Sequence, residues 1–108
     1  MSSNEKTPMT EAMYYVLLAL INPLHGYAVM DEVHKVSNKR VTMGPGTLYG
    51  ILKRLQKMNY IRMTKSDGRR KVYHITSYGE KALEQEYQRL ASLVQDGKHY
   101  WKGADNDE

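Results

Sequence analysis

The 108-residue sequence contains no cysteine and no phenylalanine, only three prolines, and no long apolar run. Without cysteine there is no disulfide framework, no thiol nucleophile and no thiolate zinc site, a composition suited to a reducing compartment. The longest apolar run, Val16 to Ile21, is far short of the roughly 20 residues that a helix needs to span a bilayer. The polar first residues do not follow the basic-then-apolar pattern of a secretory signal. The expectation is a cytoplasmic protein that does not enter a membrane. Nine tyrosines stand where phenylalanine is missing. A tyrosine packs its ring and still offers a hydroxyl, which suits interfaces and phosphate contacts. The length fits one domain, small enough that dimerisation is a usual supplement to its core.

Catalytic patterns are also missing. No Ser/His/Asp arrangement or close carboxylate pair is visible. Gly44-x-Gly46 with Gly50 follows no strand and precedes no Gly-Lys-Ser/Thr, so it does not read as a phosphate loop. His25, Asp31 and His34 are the residues nearest to a metal set, but His25 precedes the helix that carries the other two and no further ligand is spaced to complete it. The sequence therefore reads as a non-enzyme with neither cofactor nor metal.

What is present is a concentration of positive charge. Eight of the 16 lysines and arginines fall between Ile51 and Thr76, against a single acid, Asp67, which leaves +7 over 26 residues. Residues 1–50 balance four bases with four acids, and residues 77–108 carry four bases and seven acids. The net +4 thus conceals a polarised molecule. A local basic surface with acidic flanks attracts a polyanion at one place, the electrostatic footprint of a nucleic-acid binder. The plainer alternative is a solvated lysine-rich face.

The pattern beneath the charge separates these readings. Residues 1–8 are polar and expected to be disordered. Thr10 can cap a helix over 11–21, with Met13, Val16, Leu17, Leu20 and Ile21 at helical spacing. Asn22-Pro23 stops it, and Leu24-His25-Gly26 reads as a short link. Tyr27, Met30 and Val33 mark a second helix over about 26–37. After the Gly44-Pro45-Gly46 turn, Leu48, Ile51, Leu52, Leu55 and Met58 form one apolar stripe on a third helix. Asn59 suits the left-handed residue beyond its end. The period then changes to two: Tyr60 to Lys65 and Val72 to Thr76 alternate, joined through Asp67-Gly68, a hairpin turn signal with Arg69, Arg70 and Lys71 at and just after its tip. Ser77 and Glu80 form a capping box for a last helix. Residues 103–108 read as a disordered acidic tail. The order predicts a mainly α fold with a small β-hairpin: a winged helix-turn-helix over 9–76 and a C-terminal dimerisation helix over 77–102.

In a helix-turn-helix the start of the third helix reaches base edges. Here that start is Gly46, Thr47, Tyr49 and Gly50, and the glycines would let the backbone approach a duplex closely. Lys53, Arg54 and Lys57 lie further along, placed for phosphates or guanine edges. Arg69, Arg70 and Lys71 sit where a wing touches DNA, and Tyr73 joins the candidate contacts. Each cluster alone is ordinary surface charge; a basic helix face followed at once by a basic hairpin tip is much rarer. A nucleoid-type protein that binds any sequence through the same basic face is the competing class.

Gly46-Thr47-Leu48-Tyr49, Leu52, Arg54-Leu55, Tyr60-Ile61, Arg69-Arg70-Lys71-x-Tyr73-x-Ile75-Thr76 and Gly79 closely resemble the PadR family of bacterial transcriptional regulators. The likeness runs from about Met9 to Leu90, and the chain looks like the smaller members, with one C-terminal helix. This resemblance implies a dimeric repressor that leaves a palindromic operator when a small molecule binds. Repression and ligand release come from the resemblance alone.

Leu83, Tyr87, Leu90 and Val94 form a narrow apolar seam on the last helix. Such a seam is expected to meet a second copy, joined by Met13 and Leu17 of the first helix. The plainer alternative is that the last helix folds back on its own domain. Trp101 is the single tryptophan. The resemblance makes it a candidate for a flat aromatic effector at the dimer interface, although Gly97 is expected to interrupt the helix before it.

Overall fold

The computed structural model describes residues 8–66 and 70–101. Four helices and three strands follow in the order α1 (Glu11–Ala19), β1 (Leu24–His25), α2 (Gly26–Val36), α3 (Pro45–Lys57), β2 (Ile61–Ser66), β3 (Arg70–Ile75) and α4 (Ser77–Tyr100). The expected disordered ends and the Asp67-Gly68 tip of the hairpin lie outside the described residues.

The helix boundaries follow local chemistry. Thr10 caps α1, its hydroxyl accepting the Met13 N–H at 3.1 Å. α1 ends at Ala19 with Leu20 as C-cap, two residues before the predicted end. α2 and α3 both finish in the paired hydrogen bonds of a Schellman turn. At the end of α2, Asn38 (φ 56°) and Lys39 (φ 68°) turn left-handed. Their N–H groups reach Lys35 O at 3.1 Å and His34 O at 2.8 Å. At the end of α3, Asn59 adopts φ 65° as its position predicted. Its N–H donates to Gln56 O at 2.9 Å, and that of Tyr60 donates to Leu55 O at 3.0 Å. Pro45 stands in the first turn of α3.

Two predicted features differ. Leu24-His25 is a strand rather than a plain link: Leu24 pairs with Tyr73 and His25 with Val72, so the sheet has three antiparallel strands in the order β1-β3-β2. The cap of α4 is Thr76, not Ser77. Its hydroxyl accepts the Gly79 N–H at 2.9 Å and donates to Asn59 O at 2.8 Å. The Thr76 N–H reaches Tyr60 O at 2.9 Å. β3 ends at Ile75, so Thr76 is the residue with extended backbone at the junction, and it ties the start of α4 to the end of α3.

Leu17, Leu20, Val29, Val33, Leu48, Leu52 and Leu55 are fully buried, with Met13, Ile61, Tyr73, Ile75 and Leu83 joining them in one core. This core fixes the third helix against the first two and docks the sheet beneath it. Ser37, also buried, holds the link from α2 to α3: its hydroxyl donates to His34 O at 3.2 Å and accepts the Val41 N–H at 2.9 Å. α4 continues through Gly97 to Tyr100, so the glycine does not interrupt it. Leu83 and Glu86 are buried on the body of the protein, while Tyr87, Leu93 and Val94 are exposed. α4 therefore begins as part of the domain and ends as a free arm.

Candidate nucleic-acid interface

α3 buries Leu48, Leu52 and Leu55 and exposes Gly46, Thr47, Gly50, Lys53, Arg54 and Lys57. At about 100° per residue, Gly46, Gly50, Lys53 and Lys57 fall opposite the buried leucines. Arg54 lies to one side of that face. It lines a groove with Met9, Met13, Met58, Glu86 and Arg89, between α3 and the first turns of α1 and the middle of α4.

Tyr49 lies on the other side of α3. A Cβ placed on Gly26 would come within 2.9 Å of the Tyr49 ring carbon that bears the hydroxyl. The phenol is therefore packed onto the first turn of α2, which only a glycine there allows. Tyr49 was expected among the base contacts; its ring is instead turned toward α2, with 41% of the residue exposed.

The hairpin supplies the second basic element. Arg70 and Lys71 are exposed, and so are Arg62 and Lys65 of β2. Lys65 stands directly opposite Lys71 across the strands. Like charges in that position repel one another, so a polyanion bound across them relieves an existing cost. Tyr73, predicted as a contact, is a core residue with 4% exposure. In the alternation of β3 it points inward, and burial, with Tyr49 nearby, raises its phenol pKa. Arg69 lies outside the described residues.

Among the described residues the ion pairs are Lys35–Glu32 and Arg89–Glu86. None of Lys53, Arg54, Lys57, Arg62, Lys65, Arg70 and Lys71 is neutralised by an acid of its own chain within the described residues. Arg62 and Lys65 were not singled out in the sequence, although they carry part of its charge excess.

A cleft of about 500 Å³ opens between α3 and the wing, walled by His25, Gly26, Tyr27 and Ala28, by Tyr49, and by Arg70 and Lys71. Its α2 wall carried no sequence signal, because pairing of β1 with β3 is what brings the start of α2 to the wing.

The groove behind Arg54 is acidic at one point. Glu86, 7% exposed, receives Arg89 through both carboxylate oxygens, at 3.1 and 2.6 Å. Hydrogen bonding from Arg89 holds its carboxyl below the usual carboxylate value, opposed by burial and helped by Arg89's charge and the Met9 N–H. His34 Nδ1 lies 3.3 Å from the Thr42 hydroxyl. Among the described residues, His, Cys, Asp and Glu do not gather in a group of three or more.

Residues 16–85 match the model of the transcriptional regulator PadR-like family. The chain belongs to that family. It is 39% identical over 84 residues to an uncharacterised 37.1 kDa protein of a transposon from Streptomyces fradiae, covering 77% of this chain and 24% of that protein. The chain thus spans about a quarter of the length of the curated relative it matches. A PadR-like transcriptional regulator from Bacillus cereus superposes with a TM-score of 0.69 at 25% identity, over 82% of this chain and 88% of the other. A winged-helix DNA-binding protein from STIV gives 0.70 at 21% identity, over 82% and 96%. The regulator PcaV of Streptomyces coelicolor, solved with its natural ligand, gives 0.69 at 22% identity, over 83% and 61%. The latter two likenesses concern the fold. The chain thus combines membership of the PadR-like transcriptional regulator family with a winged-helix fold. No helix among the described residues is long and apolar enough to cross a membrane.

Proposed function

We propose that this PadR-like protein is a cytoplasmic, dimeric repressor that grips a palindromic operator through α3 and the wing and leaves it when a small aromatic molecule binds. The observation that carries the DNA-binding half is the basic surface shared by α3 and the hairpin, which has no acidic partner among the described residues. Gly46, Thr47, Gly50, Lys53 and Lys57 present the helix to the major groove, and Arg62, Lys65, Arg69, Arg70 and Lys71 carry the wing to the backbone or minor groove. Tyr49 and Tyr73 act by placing α3 against α2 and β3.

The dimer rests on the outer half of α4, where Tyr87 (57% exposed), Leu93 (54%) and Val94 (65%) have no cover in one chain. Leu90 is half-buried beside them. Met13, Leu17 and Leu83, expected at this interface, are instead buried in the core of the protomer. Tyr14 and Leu18 of α1 and Ile21 just beyond its end replace them, lining a shallow groove with Tyr87. Two recognition helices held about one DNA turn apart read a palindrome, and a change in the tilt of α4 alters that spacing. Trp101, at the C-cap of α4 and 67% exposed, lies where an effector between the two arms would meet it.

Sedimentation of the wild type and of Val94→Asp tests the dimer. A dimeric wild type and a monomeric variant are expected; an unchanged dimer in the variant contradicts the assignment. Val94 is exposed, so its replacement spares the fold.

A further inference from the structure

We propose that Thr76 is a positioning residue for operator recognition: its hydroxyl locks the end of the recognition helix to the start of α4 and so fixes the spacing at which two protomers meet DNA. The proposal rests on the DNA-binding and dimer readings above and concerns a residue outside both the basic surface and the exposed arm.

Left-handed Asn59 turns the chain out of α3. The Thr76 hydroxyl proton is shared between the two carbonyls that follow, at 2.8 Å from Asn59 O and 3.1 Å from Tyr60 O. The same oxygen accepts the Gly79 N–H at 2.9 Å, and the Thr76 N–H reaches Tyr60 O at 2.9 Å. One residue thus caps α4 and grips the exit of α3. The joint is closely fitted: a Cβ on Gly79 would come within 2.8 Å of the Tyr60 carbonyl carbon, and the Tyr78 and Tyr60 ring centres lie 5.5 Å apart. Further along, α4 is held by burial of Leu83 and Glu86. Leu83 supplies apolar packing, which tolerates small sliding, and the Glu86 carboxylate is taken by Arg89 of its own helix. Among the described residues, the hydrogen bonds that join the exit of α3 to the start of α4 are those of Thr76. The rest of α4 is a lever. From Ser77 to Asp96 it measures roughly 29 Å, so a tilt of about 10° at the joint moves the arm by about 5 Å. A displacement of that size between the two heads exceeds the roughly 3.4 Å rise of one base pair, so the joint decides which half-site separation the two α3 helices fit.

Three full-length variants separate locking from capping. Thr76→Ser keeps both the donor and the acceptor. Thr76→Asp still caps α4 but has no proton for the Asn59 and Tyr60 carbonyls. Thr76→Val has neither. The chain contains no cysteine, so spin labels on Gln56→Cys and Asp96→Cys report the distance from α3 to the arm within one protomer, in labelled chains diluted with unlabelled protein. A narrow distance distribution is expected for wild type and Thr76→Ser, and one shifted or broadened by about 5 Å for Thr76→Asp and Thr76→Val. On palindromes recovered by random-sequence selection, wild type should lose about ten-fold in affinity when one base pair is added between the half-sites, and Thr76→Asp less than about three-fold. If Thr76→Asp keeps the wild-type distances, Thr76 only caps α4 and the proposal is overturned. Equal discrimination between spacers in wild type and Thr76→Asp overturns it as well. If wild type selects no palindrome, the operator reading fails separately, and the distances still decide whether Thr76 locks the joint.

Discussion

Three glycines of this chain should respond in three different ways to the same added methyl group. Gly79 lies in the first turn of α4, where an added Cβ would come within 2.8 Å of the Tyr60 carbonyl carbon and 2.9 Å of Ile75 Cγ1. The Tyr60 carbonyl cannot retreat freely, because its oxygen accepts the Thr76 N–H at 2.9 Å and the Thr76 hydroxyl at 3.1 Å. Forcing a methyl into such a site costs about 3 kcal/mol at the upper end of overpacking, against a gain of at most about 1 kcal/mol in helix propensity. Gly79→Ala should therefore destabilise by about 2 kcal/mol, which lowers the melting temperature of a domain this size by roughly 10 °C. At Gly97, further along the same helix, an added Cβ meets open space. Gly97→Ala should stabilise by about 0.5–1 kcal/mol. Gly50 is equally open, but it lies on the face of α3 turned away from the core. Gly50→Ala should keep or raise the melting temperature while weakening DNA binding about ten-fold, because the methyl holds the helix off the duplex. Thermal unfolding at one fixed protein concentration reads the first two effects, and a duplex titration reads the third. A Gly79→Ala protein that melts at or above the wild-type temperature would refute the packing argument at the α3–α4 junction.

Other expectations are more direct. Lys53→Ala should flatten the salt dependence of duplex binding by about 0.9 in log–log slope if Lys53 meets a phosphate, with circular dichroism unchanged. Glu86 has a depressed carboxyl pKa in the folded protein, so its pairing with Arg89 stabilises above the ordinary carboxylate value and that contribution is lost as pH falls through the folded value. The stability difference between wild type and Glu86→Gln should thus be full near neutrality and shrink below about pH 4.5, as read from urea unfolding across pH. An aromatic effector that releases DNA should quench Trp101 fluorescence with the same midpoint; release without any change in that fluorescence would remove Trp101 from the site.

The parts of the fold that showed in the sequence were those with a long local period. α3 was legible because an apolar stripe from Leu48 to Met58 sits opposite small and basic residues, with Pro45 marking its start. The hairpin was legible from its alternation. β1 was not, because two residues cannot show a period of two; only its pairing with Tyr73 and Val72 makes it a strand. The cap of α4 moved from Ser77 to Thr76 because tertiary hydrogen bonds to Asn59 and Tyr60 decide which hydroxyl is held at the junction.

The candidate site divides in the same way. Exposure of Lys53 and Lys57 follows from helix periodicity, and that of Arg70 and Lys71 from their place beside the hairpin tip. Whether an apolar residue serves its own core or a partner does not. Met13, Leu17 and Leu83 share a helical seam with residues that stay exposed, yet they close the core of the protomer. Tyr73 stands among the wing bases in sequence but on the inner face of β3 in space. The cleft by Gly26 had no local signature, since α2 and the wing meet only through the sheet.

Everything proposed for this protein depends on sequence-specific DNA binding through α3 and the wing. The measurement that tests it most directly is a titration, at near-physiological salt, against a fragment from upstream of the protein's own gene and against scrambled DNA of the same length. At least a hundred-fold preference for the upstream fragment is expected, with a protected palindrome. Equal and steeply salt-dependent binding to both, with random-sequence selection also recovering no preferred site, would contradict it and leave a protein that binds DNA by charge alone.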